Sequence, residues 1–562
     1  MNINLPVLTN GAGEFPARLP PPNTETDCIV IGYNDINFDH FVKAQKELDE
    51  FSGAYREAKY NSVLLDGRRV TYMDLLNHAL TKATGTNPDL NVFEVPSLGA
   101  CYLVSFLRKR GFNAELVNFF NKERDALSDM LAREPNAVAI TTTYYVDPTP
   151  VIEVVKFIRS RNPRTKIIVG GPFIYHLCLG QDVETQDYLL QSIGADIYIF
   201  DSQGELSLSQ VCAVLRDPEH ADLSAVPNLI YTSDNETFHR TARKVEDNPL
   251  DENAVDWSYF RKDFFSRPIY MRTALSCPFA CSFCNFPTVA GEHKLLSLEV
   301  VEQQLRYVHS MGTKQVVFID DTFNVPLPRF KNLLRMMIRN QFDFQWISFF
   351  RCSNADDEAF DLMQQSGCVA VFLGIESGDQ DILNNMNKFA NTHKYREGIR
   401  KLNERGIATF ASIIAGFPGE TRQSVMNTIN FLEESAPTFF NIQLYYHDIE
   451  TPIHREAEKY DIRGAGYSWS HATMDWKEAA GWVEYIYKNI KNSIPLTLYG
   501  FSIWSLPYLL GKGITLEQIK HFGMTAREML IQSFDDVGTV DFTSHEQRLV
   551  ALFQDRAMTL AG

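Results

Sequence analysis

Short apolar runs alternate with amphipathic segments through roughly the first 215 residues of the chain. The mostly aliphatic runs lie at 28–32, 114–117, 137–140, 166–169 and 197–200. Between them, apolar residues recur at helical spacing, for example over 98–111 and 151–161. Buried parallel strands that alternate with helices produce this pattern. It predicts a doubly wound, Rossmann-like α/β domain over 27–245.

A second series of strands and helices follows a linker that is rich in acids and contains a proline, over 246–257. Its predicted strands lie at 270–275, 315–320, 345–350, 370–375, 409–414 and 440–445. Six such units predict a partial or full parallel (β/α) barrel over 250–460, with an active site at the carboxyl ends of the strands. The pattern then becomes mainly helical, which predicts a smaller third domain over 461–562.

Two segments lie outside this regular alternation. Residues 1–26 are rich in Pro, Gly, Asn and Thr and are expected to form a flexible leader. Residues 36–90 mix polar and helical patterning, and we interpret them as an insertion in the first domain. Such an insertion could shape a lid, a partner surface or a substrate pocket.

Composition narrows the class of protein. Lys and Arg total 53 against 70 Asp and Glu, so the formal charge is −17, which disfavours a nucleic-acid partner. The 39 Phe, 23 Tyr and 6 Trp argue against a disordered acidic chain. Neither a secretory signal over 1–27 nor an apolar run long enough to span a membrane is visible. We therefore expect a large cytoplasmic protein.

The nine cysteines fall into two groups. Six stand singly in apolar surroundings and are expected in the core: Cys28, Cys101, Cys178, Cys212, Cys352 and Cys368. The other three, Cys277, Cys281 and Cys284, form a C-x3-C-x2-C motif directly after the first predicted barrel strand. Thiolates select iron–sulfur clusters, zinc or copper(I). Three thiolates on a four-iron cubane would leave one iron open, whereas His293 could complete a zinc site and a coincidental trio is a third possibility.

The cysteine motif, with Phe283 just before its last cysteine, resembles the signature of radical S-adenosylmethionine (SAM) enzymes. That resemblance implies a 4Fe-4S cluster whose open iron holds the amino and carboxylate groups of SAM. An electron from the cluster, supplied by a donor such as flavodoxin or ferredoxin, would cleave SAM reductively and release a 5′-deoxyadenosyl radical.

Four further segments match places where this family contacts SAM. The matching residues are Asp320 and Asp321, Arg351, Glu376 and Ser377, and Ile414 and Gly416. By the resemblance, these four groups would meet in turn the ammonium, the carboxylate, the ribose and the adenine of SAM. Each group also fits a purely structural role in a turn or a salt bridge. Glu450 departs from the family pattern, because a glycine often precedes the equivalent of Thr451-Pro452.

The first domain resembles the cobalamin-binding module of B12-dependent radical SAM enzymes. The residues that carry this resemblance, and that would contact cobalamin, are Ser97, Leu98, Gly99, Thr141, Thr142, Thr143, Gly170, Gly171 and Glu205. The Asp-x-His-x-x-Gly string of many cobalamin proteins is not found, and His40 and His176 are isolated. This implies cobalamin without a histidine ligand, and Tyr144 or Tyr145 could cover the lower face of the corrin.

Together the two modules imply a methyltransferase that acts on an unactivated carbon or a phosphinate phosphorus of a natural product or peptide. Residues 467–475 resemble the group around the phosphinothricin-type P-methyltransferases. Within them, Trp469 and His471 could line a substrate pocket or pack between helices. A B12 radical SAM enzyme that cyclises, rearranges or modifies a peptide without methylating it, and a non-catalytic zinc-stabilised interaction protein, remain as alternatives.

Overall fold

The structure, a computed structural model, describes residues 26–145, 147–217, 222–534 and 541–554. Except for Thr26, the expected leader lies outside the described residues. The chain forms two compact units, and each is assembled from separate stretches of sequence. The first unit contains the described residues up to Ile36, Phe93–Phe265 and Leu295–Met311. The second contains Asn37–Val92, Ser266–Lys294 and the chain from Gly312 onward.

The first unit is built on a seven-stranded sheet. From edge to edge its strands are Ala114–Phe119, Cys28–Tyr33, Ala137–Thr141, Lys166–Gly170, Ile197–Ile199, Leu229–Tyr231 and His239–Arg240. The first five are parallel and the last two are antiparallel. The α-helices are Leu98–Lys109, Arg124–Leu131, Thr149–Arg161, Pro172–Gly180, Val183–Ile193, Glu205–Arg216, Leu250–Asn253 and Leu298–Ser310. The predicted doubly wound sheet is confirmed.

Alternate side chains of the first strand pack into cores on opposite faces of this sheet. Ile29 and Ile31 join a buried cluster with the helix Thr149–Arg161. Cys28 and Val30 join a second cluster with the helix Leu98–Lys109. Because the strands are covered on both faces, they are apolar at nearly every position, which explains the continuous apolar runs in the sequence.

The second unit contains a seven-stranded parallel sheet whose strands follow chain order. They are Ile269–Met271, Gln315–Phe318, Gln345–Phe349, Cys368–Glu376, Ala408–Ala415, Phe439–Leu444 and Ile494–Pro495. The first six confirm the predicted barrel strands, and the seventh was not predicted. Within the described residues the first and last strands do not pair, so the barrel is a partial one.

The remaining elements of this unit are mostly helical. Its longer helices are Phe38–Leu48, Gly53–Tyr60, Tyr72–Thr84, Leu327–Arg339, Asp357–Gln365, Thr392–Glu404, Arg422–Ser435, Trp476–Asn489, Ser505–Gly511, Leu516–Gln532 and Thr543–Ala551. The shorter helices are Phe286–Ala290, Gln380–Asn385 and Ala457–Tyr460. The hairpins are Val63–Leu65 with Arg68–Val70, and Arg463–Ala465 with Ser468–His471 and Met474–Asp475. In the part of the chain that the structure describes, no helix has the length and apolarity needed to cross a bilayer.

The insertion predicted at 36–90 does not belong to the first unit. Residues 37–92 fold with the barrel. Tyr60 Oη donates to the Ala480 carbonyl (3.1 Å), and the Leu64 amide donates to Ser533 Oγ (2.9 Å). The stretch 461–562 is mainly helical as expected, but it forms the barrel unit together with the insertion rather than a third compact domain.

Two side chains of the insertion bond to backbone amides near the last two barrel strands. Glu57 Oε2 accepts from the amide of Leu444 (3.2 Å), the last residue of the sixth strand. Asn61 Oδ1 accepts from the amide of Leu498 (2.8 Å), just beyond the seventh strand. The seventh strand pairs with the sixth only at Phe439 and Phe440. The inserted helix thus satisfies backbone donors where strand pairing has ended.

Glu57 makes this contact sensitive to pH. Burial raises the pKa of its carboxyl from 4.5 to about 7, against the lowering effect of its bonds to Leu444 and Asn61. A carboxyl group whose pKa rises on folding contributes its full share of the folding stability at pH values below its pKa in the unfolded chain. That contribution is lost as the pH rises from about 4.5 to 7. Relative to the native chain, we expect the unfolding free energy of Glu57→Gln to increase by about 1–3 kcal/mol when the pH is raised from 5 to 8.

Urea unfolding of both proteins at the two pH values measures this change. Glu47→Gln is the matched control, because Glu47 is exposed on the neighbouring inserted helix. An equal difference in unfolding free energy between Glu57→Gln and the native chain at both pH values contradicts the assignment.

Candidate active site

The cysteine loop leaves the carboxyl end of the first barrel strand through a sharp turn. Ser276, just before the first cysteine, has a left-handed backbone (φ 67°), and its hydroxyl donates to the Gly291 carbonyl (2.7 Å). A non-glycine residue in this region is strained and needs such local support. The three thiols therefore begin at the active-site end of the barrel, where the sequence places them.

Backbone and side-chain bonds from distant segments fix the middle of the loop. The Ser282 amide donates to the Met386 carbonyl (2.9 Å) and its hydroxyl donates to the Asn385 carbonyl (2.9 Å). The Ser282 carbonyl accepts from the Ile453 amide (2.8 Å), and the Ala280 carbonyl accepts from Asn387 Nδ2 (2.7 Å). These bonds hold the loop on both sides of Cys281.

The thiols lie near one another and near two cations. Burial raises the pKa of Cys281, and the charges of Lys388 and Arg351 oppose this. Burial also raises the pKa of Cys284 to about 11. Over the described ranges, no three His, Cys, Asp or Glu side chains stand close enough to share one metal ion.

Asp320 and Asp321 have different surroundings. Asp320 is buried, and its carboxylate accepts from the Thr273 amide (2.6 Å), the Thr273 hydroxyl (2.5 Å) and the Ala274 amide (3.0 Å). Asp321 keeps a solvent-exposed side chain, although desolvation and its charged neighbour Asp320 raise its pKa to about 6. The arrangement favours a positioning role for Asp320 and leaves Asp321 accessible to an ammonium group.

Arg351 has unsatisfied hydrogen-bond donors. Its side chain is buried, and its Nε and Nη2 atoms have no hydrogen-bond partner among the described residues. The guanidinium carbon lies 3.7 Å from the ring centroid of Phe279, within the cysteine loop. A buried cation without a hydrogen-bonding partner is costly, and a carboxylate would satisfy both donors.

The fourth strand ends in a buried ion pair. Lys388 Nζ donates to Glu376 Oε1 (2.8 Å) and lies 5.3 Å from the ring centroid of Phe283. A Cβ on Gly374 would approach Glu376 Oε1 to 2.5 Å, so a side chain there would displace the pair. Ser377 is fully buried, and its hydroxyl accepts from the Asp379 amide (3.1 Å). Lys388 was not predicted, because no spacing rule links it to Glu376.

The fifth strand ends where Gly416 accommodates an aromatic side chain. Gly416 has φ 91°, and a Cβ there would lie 2.5 Å from Trp469 Cη2. Trp469 is buried, stacks on His471 and donates from Nε1 to the Tyr445 carbonyl (2.7 Å). Ile414, in contrast, is half-buried. Trp469 and His471 therefore pack within the fold, which is one of the two alternatives that the sequence left open.

In the first unit, the predicted threonines divide into two kinds. Thr141 donates to the Gly32 carbonyl (2.7 Å), and Thr142 donates to the Gly170 carbonyl (2.9 Å). Both are buried, whereas Thr143 is exposed. Only Thr143 can offer its hydroxyl to a ligand without first giving up a bond within the sheet.

The glycines beside these threonines present exposed or half-buried backbone at the same end of the sheet. Gly99 is exposed next to Thr143, and Gly170 and Gly171 are half-buried. Ser97 is buried and caps the helix Leu98–Lys109, so it serves the fold. Leu98 is also buried. A flat ligand could approach the three glycines closely, because they present no side chain.

Glu205 begins a helix whose amino end already carries a carboxylate. Glu246 accepts from the amides of Leu206 (2.8 Å) and Ser207 (2.7 Å). Glu205 itself accepts from Asn248 Nδ2 (3.2 Å). Because an acidic side chain occupies these amides, this helix end does not attract an anionic group.

Comparison with known families agrees with both parts of the site. The radical SAM superfamily model matches residues 271–432, which include the cysteine loop. The B12 binding domain model matches residues 92–194, which include the exposed threonine and the glycines. The chain therefore combines a radical SAM domain with a B12-binding domain.

Individual proteins resemble this chain at low identity. An uncharacterized methyltransferase of Pyrococcus horikoshii is 24% identical over 60% of this chain and 73% of its own length. The anaerobic magnesium-protoporphyrin IX monomethyl ester cyclase of Rubrivivax gelatinosus is 22% identical over 62% of this chain and 64% of its own. The solved radical SAM methyltransferase TsrM of Kitasatospora setae superposes with a TM-score of 0.54 and 19% identity, over 65% of this chain and 75% of that one.

The residues present fit the cofactors of this family. The three thiols share one loop at the carboxyl end of the first strand, and Arg351 has two buried donors available for a carboxylate. In the first unit, the ligand-binding edge of a doubly wound sheet carries exposed Gly99 and Thr143. The cofactors are therefore a 4Fe-4S cluster, SAM and cobalamin.

We expect Cys281→Ala to abolish cluster assembly, because an alanine leaves only two thiolate ligands. Iron and sulfide content after anaerobic reconstitution measures this loss. Cys368→Ala is the control, since Cys368 is a buried thiol at the start of the fourth strand. Full iron content in Cys281→Ala, or equal loss in both variants, contradicts the assignment.

We expect Arg351→Met to weaken SAM binding about 10- to 100-fold while leaving the unfolding free energy of the SAM-free protein unchanged or higher. Removal of a buried cation with unsatisfied donors does not destabilise the protein as removal of a structural salt bridge would. Calorimetric titration of the reconstituted protein with SAM measures the affinity. Arg335→Met, on an exposed helix face, is the control. A destabilised Arg351→Met variant with unchanged SAM affinity would make Arg351 structural.

Proposed function

We propose that this enzyme transfers a methyl group from SAM, by way of cobalamin, to an unactivated carbon or a phosphinate phosphorus. The match to a protein named as a methyltransferase, across 60% of this chain, carries the proposal. The fold shared with the radical SAM methyltransferase TsrM supports it. We further propose a natural product or a peptide as the substrate.

When bound, the cluster supplies the electron that cleaves SAM, and cobalamin supplies a carrier for the methyl group. The protein's own contribution is to bind and orient these groups. Cys277, Cys281 and Cys284 would hold the cluster. Arg351 would bind the SAM carboxylate through its two unsatisfied donors, and Asp321 would accept from the ammonium.

Other residues would determine the position of the nucleoside part of SAM. Glu376 would accept a hydrogen bond from a ribose hydroxyl, and its ion pair with Lys388 would hold the carboxylate in place. The half-buried Ile414 would pack against adenine, and Gly416 would keep the backbone close to the ring. An electron donor such as flavodoxin or ferredoxin would reduce the cluster.

Radical chemistry without methyl transfer is the second candidate. It is favoured by the match to the magnesium-protoporphyrin monomethyl ester cyclase, which covers 62% of this chain, slightly more than the methyltransferase match. Both candidates use the same cofactors. They differ in the products that SAM leaves behind.

We expect the reconstituted enzyme to form both S-adenosylhomocysteine and 5′-deoxyadenosine from SAM labelled in its methyl group. A reductant and a small-molecule and peptide extract of the source cells supply the electrons and the substrate. Label should appear in an extract component only when cobalamin is present. Chromatography with ultraviolet detection follows S-adenosylhomocysteine and 5′-deoxyadenosine, which do not carry the label, and radiometric detection follows the methylated product.

Cys281→Ala is the control for this assay, because it removes a cluster ligand while retaining the fold of the first unit. Formation of 5′-deoxyadenosine without S-adenosylhomocysteine or labelled product would replace the methyltransferase proposal with the second candidate.

A further inference from the structure

One side-chain amide in the barrel unit has no hydrogen-bond partner. Asn441 lies in the sixth barrel strand, Phe439–Leu444, and it is 1% exposed. Its Oδ1 and Nδ2 atoms are both buried, and neither bonds to any of the described residues. A buried amide in this state loses the hydrogen bonds that it makes to water in the unfolded chain and gains none in return. Because buried polar groups are almost always bonded, these two atoms point to a role in binding.

The side chain of Asn441 faces the interior of the barrel. The helix Trp476–Asn489 follows the sixth strand in the chain and lies outside the barrel, as the helices of such barrels do. It covers the neighbour of Asn441, since the ring centroids of Phe440 and Tyr487 lie 6.0 Å apart. Successive side chains of a strand point to opposite faces, so Asn441 points inward.

The interior positions around Asn441 are arranged in layers. Toward the amino ends of the strands lies an aromatic layer, whose members are in register on four adjacent strands: Phe349, Phe372, Phe410 and Phe439. The next interior residues of the fifth and sixth strands, Ser412 and Asn441, are also in register, and Ile414 and Gln443 follow them. Gln443 Nε2 donates to Ser412 Oγ (3.5 Å). We call Ser412, Asn441 and Gln443 the interior polar patch.

Asn441 lies deeper in the barrel than the residues assigned to SAM. Arg351 and Glu376 stand at or beyond the carboxyl ends of their strands, and Ile414 is the second-last residue of the fifth strand. Asn441 precedes Gln443, the register partner of Ile414, by two residues, which is about 7 Å along the strand. SAM in the position proposed above does not account for the free amide, so the substrate is the better candidate for its partner.

The chemistry of the interior polar patch selects an uncharged polar group. One hydroxyl and two carboxamides carry no charge, so a charged group placed against them would lose its hydration without gaining a counter-ion. A carboxamide offers an acceptor oxygen and a donor nitrogen side by side. An amide of the ligand matches this pair, because its N–H and its C=O bond to Oδ1 and Nδ2 at the same time. An ether or ketone oxygen satisfies Nδ2 alone.

We propose that Asn441 binds an amide group of the substrate inside the barrel. Nδ2 donates to the amide carbonyl, and Oδ1 accepts from the amide N–H. The inference rests on the proposed function for the presence of a substrate there, and it applies equally to radical chemistry with and without methyl transfer. The substrate is thereby narrowed to a compound with an amide bond, either a peptide or an N-acylated small molecule.

Equilibrium measurements on Asn441→Leu separate this role from two others. Leucine has the branched shape of asparagine without its polar atoms. We expect the urea midpoint of the reconstituted protein to be equal or higher, and its SAM affinity in calorimetric titration to stay within about twofold of the native value. A lower midpoint shows that Asn441 supports the fold, and a loss of SAM affinity of about tenfold or more places it in the SAM site. Either result overturns the proposal.

Substrate binding is measured through the radical step. With SAM and a reductant present, the stimulation of 5′-deoxyadenosine formation by the source-cell extract reports binding in both candidate reactions. In Asn441→Leu we expect the extract concentration for half-maximal stimulation to rise about 30- to 100-fold, because two hydrogen bonds are lost and the substrate amide is left unsatisfied. Asn430→Leu, the same substitution at an exposed position of the helix Arg422–Ser435, is the control and should respond as the native chain does. Equal stimulation of Asn441→Leu and the native enzyme overturns the proposal.

The identity of the stimulating component gives an independent check. We expect fractionation and tandem mass spectrometry to show an amide bond in it, and a component without one overturns the proposal. Protease treatment of the extract distinguishes the two sources, since it removes stimulation by a peptide and spares stimulation by an N-acylated small molecule. With methyl-labelled SAM, stimulation without label in the component refutes methyl transfer and leaves the role of Asn441 in place.

Discussion

The buried carboxylate of Asp320 fixes the point at which the cysteine loop leaves the barrel. It accepts three hydrogen bonds from Thr273 and Ala274, and Arg329 donates to the Thr273 carbonyl (3.1 Å). A buried charge is tolerable only when its oxygens are satisfied, so the two strand ends are held in one register. Three thiols can serve one cluster only if their loop starts from a fixed place. The turn at Ser276 and the bonds to Ser282 both extend from that anchor.

Much of the fold could be predicted because the barrel strands and five strands of the first sheet are parallel and largely buried, which leaves an apolar run at each of them. The six longer barrel strands and the five parallel strands of the first unit were found in this way. The seventh barrel strand, Ile494–Pro495, is two residues long and carries no periodicity. The insertion was placed in the wrong unit, since its partners Ala480 and Ser533 lie more than 400 residues further along the chain. Local pattern holds no information about such contacts.

Candidate site residues could be predicted where they form a short motif or directly follow a strand. They could not be predicted where their role depends on contacts with residues distant in the sequence. The cysteine motif and Arg351 follow strands directly, so their place at the carboxyl edge followed from topology. The roles of Asp320, Ser377 and Thr142 depend on hydrogen bonds to residues outside their own strands, which residue type alone cannot reveal. Lys388 and Phe279 were missed because each matters through a single spatial neighbour, Glu376 and Arg351 respectively.

The division of the barrel unit along the chain has a consequence for synthesis. The hairpin that begins at Val63 leaves the ribosome long before Ser533, which lies 469 residues beyond the Leu64 amide that it caps. At ordinary rates of translation the interval is roughly 20–90 s. For most of that time the inserted helices lack their partners Leu444, Ala480 and Ser533, although the doubly wound sheet can already close. The nascent polypeptide must therefore keep an early amphipathic segment from aggregating until its last hundred residues have been translated.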